Sequence, residues 1–140
     1  DPFQARINRR LAAESLTADD LAGRLERAGM DRCRAVGIQQ PIVPGLMPIL
    51  NVEQIKRITG MCGASIPQDL LRQLEEAKDD EEQVHQVSIT HTANQALDLL
   101  NHGVPGIHFY VLNQYLHIAE IMERIKPALK RNEGAVPAEQ

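Results

Sequence analysis

Polar side chains that could bind a ligand follow the most strand-like segment of the sequence. Residues 107–112 (IHFYVL) are rich in aromatic and β-branched residues, which favours a β-strand, and Asn113 and Gln114 come directly after it. Parallel strands of α/β proteins present their ligand-binding side chains at the carboxyl end. The sequence therefore predicts that Asn113 and Gln114 belong to the rim of a binding site.

Other groups of reactive side chains give weaker indications of chemistry. His117 and Glu120 are three positions apart on a predicted helix and could contact one metal ion, but two ligands do not make a site. The acidic stretch 75–83 could hold a cation, although a solvated turn in which Asp79 or Asp80 caps the next helix explains it better. No Ser or Cys nucleophile has a base nearby in a recognisable pattern, and the sequence contains no glycine-rich phosphate loop.

The remaining histidines are interpreted as structural. His108 lies within the predicted strand 107–112, where a core histidine with satisfied hydrogen bonds is favoured over a catalytic one. His85 and His91 are predicted to lie on a helix surface.

The elements that must position these residues alternate between strands and helices. Short apolar runs near 41–44, 61–66 and 107–112 are predicted to be parallel strands, because buried parallel strands form continuous apolar runs between Gly and Pro residues. Alternating strands and helices predict an α/β fold with right-handed crossovers.

Helices are predicted after each of these runs. They begin at the capping residue Asn51, near Pro67, at about Glu81 and at Tyr115. The helix that begins at about Glu81 ends at about Asn101. The helix that begins at Tyr115 ends at about Ile125, where Lys126-Pro127 closes it. Three regions follow from this pattern: a helical segment over 1–29 that ends at Gly29, the β/α units over 30–126, and a flexible tail over 127–140.

Composition and charge exclude several classes of function. The net charge is −4, and no basic patch with interleaved aromatic residues indicates nucleic-acid binding. No apolar run approaches the roughly 18 residues that a membrane span requires. Cys33 and Cys62 match no CxxC spacing, and with no visible targeting signal the sequence favours a reduced, cytoplasmic protein.

Three segments in combination resemble a known enzyme family. PGLMPI (44–49), CGASIP (62–67) and GVPGIHFYVLNQ (103–114) are similar in order and spacing to the C-terminal part of methylenetetrahydrofolate reductases, over about residues 30–125. The resemblance implies the last β/α units of a (β/α)8 TIM-type barrel. It also implies a flavoprotein in which FAD carries hydride from NADH or NADPH to 5,10-methylenetetrahydrofolate, and the product, 5-methyltetrahydrofolate, feeds methionine synthesis.

The resemblance assigns four substrate-binding positions in this chain. Gln54 stands where the family's Gln contacts folate, and Ile58 stands where an apolar, often aromatic, residue packs against folate or nicotinamide. Leu112 matches the Leu that lines the site after the final strand. Gln114 replaces the family's Arg, so it can hydrogen-bond a carboxylate or a pterin edge but supplies no charge.

The family's catalytic half has no counterpart in this sequence. The catalytic Glu belongs to the first barrel strand, and most FAD contacts come from strands two to five, so we expect no catalytic residue here and no activity from this chain alone. The alternative hypothesis is a non-catalytic half-barrel that assembles with itself or with a partner chain through exposed strand edges. A third, a flavin barrel related to proline dehydrogenase, does not share the combination of PGLMPI and HFYVLN.

Overall fold

A computed structural model describes residues 29–111 and 113–133 as seven elements joined by short connections. In chain order they are α1 (residues 29–35), β1 (Gly45–Leu46), α2 (Val52–Cys62), α3 (Gln68–Ala77), α4 (Glu81–Asn101), β2 (His108–Phe109) and α5 (Tyr115–Glu133). The predictions for residues 1–28, for Leu112 and for residues 134–140 lie outside the described residues. Gly29, expected to end a helix, is itself helical.

The two strands form a small parallel sheet, as an α/β fold requires. Gly45 pairs with His108 and Leu46 with Phe109. The N–H of His108 donates to the Pro44 carbonyl at 2.8 Å and the N–H of Tyr110 to the Leu46 carbonyl at 2.9 Å. The first strand thus lies just after the predicted run 41–44, and the second is shorter than the predicted 107–112. Three helices separate the paired strands along the chain.

The predicted strand over 61–66 is wrong. Met61 and Cys62 form the end of α2, and Gly63 stops that helix with a φ of 67° in the left-handed region. The N–H groups of Gly63 and Ala64 both donate to the Thr59 carbonyl, which satisfies the helix end. Residues 61–65 are all exposed, so a strand here would have no buried face to stabilise it.

The sheet buries one face only. Pro44 and Leu46 are buried, and Phe109 is half-buried against the helices. On the opposite face Val43 is 50% exposed and Tyr110 is 52% exposed. The expectation of strands buried on both faces is therefore wrong for the described residues, since helices cover a single side of the sheet.

The open face of the sheet also contains His108 and Gly45. His108 is exposed and its ring lies edge-on to that of Tyr110, with centroids 4.7 Å apart, so the prediction of a core histidine is wrong. A Cβ atom at Gly45 would come within 2.7 Å of the Tyr110 ring. The glycine thus lets the ring lie directly against the backbone of β1.

The larger of two hydrophobic cores lies between α4, α5 and the covered face of the sheet. α4 and α5 run side by side and contribute most of its buried side chains. Its members are Leu46, Ile89, Ala93, Ala96, Leu99, Leu100, Val104, Ile121, Ile125 and Ala128. Small residues at Ala93 and Ala96 let the two helices approach closely. This core fixes the sheet relative to the middle and the carboxyl-terminal half of both helices.

The smaller core lies beneath α2, α3 and the first turns of α4. Its buried residues are Ile49, Val52, Leu70, Leu74, Ala77 and Val84. Leu74 is fully buried, and it lies one helical turn after Leu70 on α3. Because Val52 opens α2 and Ile49 precedes it, this core holds the connection between β1 and α2 in place.

Local sequence signals account for the helix starts. The Asn51 side chain accepts a hydrogen bond from the Gln54 N–H at 2.7 Å, and that of Asp80 accepts one from the Gln83 N–H at 3.1 Å. Both predicted caps are confirmed, as are the predicted bounds of α4 and the position of Pro67 immediately before α3. None of the helices in the described ranges is long and apolar enough to cross a membrane.

The last helix does not end at Lys126-Pro127 as predicted. α5 continues through Pro127 to Glu133. Ala128 is 2% exposed and Leu129 packs against the larger core, so burial of the residues beyond the proline keeps the helix going. Pro127 itself is exposed, which places its ring on the solvent side of the helix.

Candidate functional site

A cleft of about 740 Å³ opens where the two strands end and three helices begin. One wall is the connection from β1 into α2, a second is the start of α4, and a third is the start of α5. The residues that line it are Leu50, Asn51, Val52, Gln54, Lys78, Glu81, Glu82, Val84, His85, Gln114, Leu116, His117 and Glu120. The predicted position of the site, at the carboxyl ends of the strands, is thus where the cleft lies.

Two of the four positions assigned by resemblance meet in this cleft. Gln54 and Gln114 both line it, although they are sixty positions apart in the sequence. Ile58, one helical turn after Gln54, is half-buried and is not among the lining residues. Leu112 lies outside the described residues. The fold therefore places both glutamines on the lining of one cleft and leaves the apolar position away from its wall.

A tight turn positions Gln114 after the second strand. The Gln114 N–H donates to the Val111 carbonyl at 2.9 Å, and Asn113 within the turn has a φ of 63°. Asparagine tolerates this left-handed conformation better than most side chains, which gives Asn113 a conformational role at the rim. A substitution to a β-branched residue there would disfavour the turn that directs the chain from β2 into α5.

The amino-terminal ends of three helices converge on the cleft. Asn51, Glu81 and Gln114 lie at or next to the starts of α2, α4 and α5, respectively. Each helix start carries a partial positive charge, equivalent to about half an elementary charge. The charged side chains oppose this field, because Glu81, Glu82 and Glu120 outnumber Lys78 among the lining residues.

An ion pair between Lys56 and Glu75 joins α3 to α2, the helix that carries Gln54. The hydrogen bond from Lys56 lowers the pKa of the Glu75 carboxyl, and the same bond raises the pKa of Lys56. Both side chains are more than a third exposed, so the pair orients α2 more than it stabilises the chain.

Sequence reasoning missed a histidine pair in the cleft wall. The Nδ1 atom of His85 lies 2.9 Å from the Nε2 atom of His117, and the Nε2 atom of His85 lies 2.8 Å from Oε1 of Glu120. The prediction that His85 lies on the helix surface is wrong, since its side chain is only 16% exposed. The spacing of His117 and Glu120 on one helix face was the available signal, but nothing local indicated that His85 would meet them.

The electrostatics of this pair differ from those of a metal centre. Among the described residues no group of three His, Cys, Asp or Glu side chains could hold a metal ion. Burial lowers the pKa of His117, and the nearby His85 lowers it further against the opposing effect of Glu120. The lowered pKa favours the neutral form of His117.

The parallel sheet and the cleft at the carboxyl ends of its strands define an α/β protein. A family model described as methylenetetrahydrofolate reductase matches residues 27–126. The chain belongs to the methylenetetrahydrofolate reductase family.

Curated relatives agree with the family model over the same part of the chain. This chain is 39% identical over 94 residues to a probable methylenetetrahydrofolate reductase (NADPH) of Caenorhabditis elegans. The aligned segment covers 66% of this chain and 14% of the relative. It is 41% identical over 81 residues to methylenetetrahydrofolate reductase (NADH) 1 of Arabidopsis thaliana, covering 58% and 14%. The 5,10-methylenetetrahydrofolate reductase of Escherichia coli is 34% identical over 88 residues, covering 60% and 28%. The matched part of the chain therefore spans between a seventh and just over a quarter of these relatives.

Proposed function

We propose that this chain supplies the last two β/α units of a flavin-dependent methylenetetrahydrofolate reductase barrel and that its cleft binds the folate substrate. The meeting of Gln54 and Gln114 in one cleft carries the proposal. Two amides can each donate and accept hydrogen bonds, which suits the pterin edge and the amide of a folate. The partial positive charge of the three helix starts offsets part of the negative charge that Glu81, Glu82 and Glu120 bring to the cleft.

The open face of the sheet supports the barrel part of the proposal. In a (β/α)8 barrel, helices cover the outer face of every strand and side chains fill the interior. Here helices cover one face, and Val43, His108 and Tyr110 project from the other. We infer that this exposed face forms part of the interior wall, which further strands complete.

The family resemblance places the catalytic acid of the reaction on the first barrel strand, which has no counterpart in this sequence. FAD, when bound, supplies the hydride that reduces the substrate. Gln54 and Gln114 would hold and orient the folate, but neither can donate a proton as a carboxylic acid does. We therefore propose that this chain binds substrate and that the catalytic acid and most flavin contacts come from outside it.

Binding of 5-methyltetrahydrofolate to the full chain tests the cleft, by isothermal titration calorimetry. Gln54→Leu and Gln114→Leu should each weaken binding by about 5- to 10-fold, the cost of one lost hydrogen bond. Gln114→Arg should tighten it, because the family's charge is restored. Gln73→Leu, which changes an exposed glutamine of α3, is the matched control and should bind as the unmodified chain does.

Three results would contradict these assignments. The first is absence of binding by the chain, and the second is equal binding by the control and both cleft variants. The third is folate-dependent oxidation of NADH or NADPH by this chain alone, which would mean that catalysis needs no residues from outside it.

The apolar exposure around the strand ends favours a second candidate function, a non-catalytic half-barrel that assembles with itself or with a partner. Tyr110, Tyr115 and Leu116 are all more than half exposed. Large apolar side chains exposed in this way can take part in interaction sites. Such assembly would cover the open sheet face at Tyr110 and, through Leu116, one edge of the cleft.

Sedimentation velocity at micromolar concentration decides whether the chain pairs with itself. Self-assembly predicts a mass above the 15.6 kDa of one chain, and Tyr110→Glu should shift the distribution toward the monomer. Met61→Glu changes a side chain that is 81% exposed at the far end of α2, and it should leave the distribution unaltered. A monomer with sharp, cooperative unfolding would count against self-pairing.

A further inference from the structure

Three side chains join α4 to α5 across one wall of the cleft. His85 comes from α4, and His117 and Glu120 come from α5. The two imidazole rings meet edge to face, with centroids 4.1 Å apart and planes at 73°. The His85 side chain is 16% exposed and that of Glu120 is 45% exposed, so the contact lies at the boundary between the core and the cleft.

Hydrogen-bond chemistry fixes where the protons of the neutral pair reside. The Glu120 carboxylate can only accept, so the Nε2 atom of His85 carries the proton that it donates across 2.8 Å. The Nδ1 atom of neutral His85 then has no proton and accepts from the Nε2–H of His117 across 2.9 Å. The other nitrogen of His117, Nδ1, is buried without a hydrogen-bond partner among the described residues.

Two ring nitrogens face each other in this contact, Nδ1 of His85 and Nε2 of His117. The contact tolerates one additional proton on the pair of rings but not two. With one, the contact survives in either of two arrangements: His117 carries both ring protons and still donates from Nε2 to His85, or His85 carries both and donates to Nε2 of His117 after the His117 proton has moved to Nδ1. With two, both facing atoms carry a hydrogen at a separation of 2.9 Å, so neither can accept and two positive rings repel each other. The second proton therefore breaks this contact, while the larger core and the hydrogen bonds from Arg124 to Thr90 and Gln86 still join the two helices.

The groups around the pair do not remove this conflict. On α4 the cleft is lined by Glu81 and Glu82, which favour protonation, and by Lys78 just before the helix, which opposes it. On α5 the charged groups are Glu120, which favours protonation, and one turn later Arg124, which donates to Gln86 and Thr90 of α4 and opposes it; α2 contributes the neutral Gln54. Burial and the charge of His85 lower the pKa of His117, so the second proton binds only in acid.

We propose that the His85–His117 pair is a pH-sensitive switch in the cleft wall, which holds the first turns of α5 against α4 until a second proton releases them. The release widens the cleft on the side of Gln114, one turn before His117. The proposal does not depend on which ligand the cleft binds, so a failure of folate binding would leave it standing.

The sign of the pH effect follows from the lowered pKa of His117. A histidine that is harder to protonate in the folded chain than in the unfolded chain stabilises the fold above its ordinary pKa of about 6.5. That contribution falls away as the pH drops through the lower value in the folded state. The switch therefore predicts a loss of stability on acidification that begins below about pH 6.5, before most carboxylates titrate.

Thermal unfolding of the full chain between pH 7.5 and pH 5 tests the switch. The unmodified chain should lose about 5 °C more in its unfolding midpoint than His117→Gln, whose amide can still donate to His85 but cannot gain a proton. His102→Gln is the matched control. His102 contacts Asp98 at the end of α4, away from the cleft, so this variant should keep the acid loss of the unmodified chain.

Nitrogen-15 NMR of the histidine rings gives a readout that does not require any variant to fold. At pH 7.5 we expect His117 to carry its proton on Nε2 and none on Nδ1, and to titrate below the ordinary histidine range. An equal acid loss in His117→Gln and the unmodified chain would overturn the switch, as would a His117 ring that is protonated on Nδ1 or titrates at its ordinary value.

Discussion

Replacement of Ile121 by alanine should lower the free energy of unfolding by about 2–5 kcal/mol, because it leaves a cavity in the larger core. Ile121 on α5 is fully buried, and it packs in the cluster that includes Ile89 and Leu46. A domain of this size is stable by only about 5–15 kcal/mol, so the loss would be a large fraction of the total. Urea denaturation followed by circular dichroism measures it.

The neighbouring residue provides the matched control for Ile121. Met122 follows on the same helix and is 38% exposed, so Met122→Ala should cost well under 1 kcal/mol. Leu74→Ala, in the smaller core, should cost about as much as Ile121→Ala and should add to it, since the two side chains belong to separate clusters. Equal effects at Ile121 and Met122 would show that α5 does not pack as described.

Pro127→Ala should raise the free energy of unfolding by up to about 2 kcal/mol. Proline inside a helix is about 3 kcal/mol less favourable than alanine, because it lacks the N–H that would donate to the carbonyl four residues earlier, here that of Glu123. The gain is smaller than 3 kcal/mol because proline also restricts the unfolded chain. Since Pro127 is exposed, the substitution leaves both cores unchanged.

The same denaturation experiment measures the proline effect. Lys126→Ala is the control, because Lys126 is exposed on the same turn and makes only a 3.4 Å contact with Glu123. We expect it to change stability by less than about 0.5 kcal/mol. A Pro127→Ala variant that is no more stable than the unmodified chain would mean that residues 128–133 gain nothing from a continuous helix.

Short-range signals in the sequence were sufficient for the helix starts. Asn51 and Asp80 cap α2 and α4 through hydrogen bonds to N–H groups three residues later. Each cap depends on one side chain and the adjacent backbone, so it can be recognised without knowledge of the fold. The parallel direction of the two strands also followed from the alternation of strands and helices.

The errors fall where burial by distant residues decides the outcome. The run 61–66 has a strand-like composition but no neighbour to cover it, and it became the end of α2 and an exposed loop. The helix passes through Pro127 because the larger core buries Ala128 beyond it. In both places a local preference is outweighed by tertiary contacts that no window of sequence contains.

The sequence by itself determined the family, the capped helices and the strand that leads to Asn113 and Gln114. Only the tertiary structure decided that helices cover one face of the sheet, that Gln54 and Gln114 share one cleft, and that His85 meets His117. The physical reason is how far apart in the sequence the interacting residues lie. Caps and turns are set by neighbours along the chain, whereas a cleft wall built from α4 and α5 depends on how two helices pack.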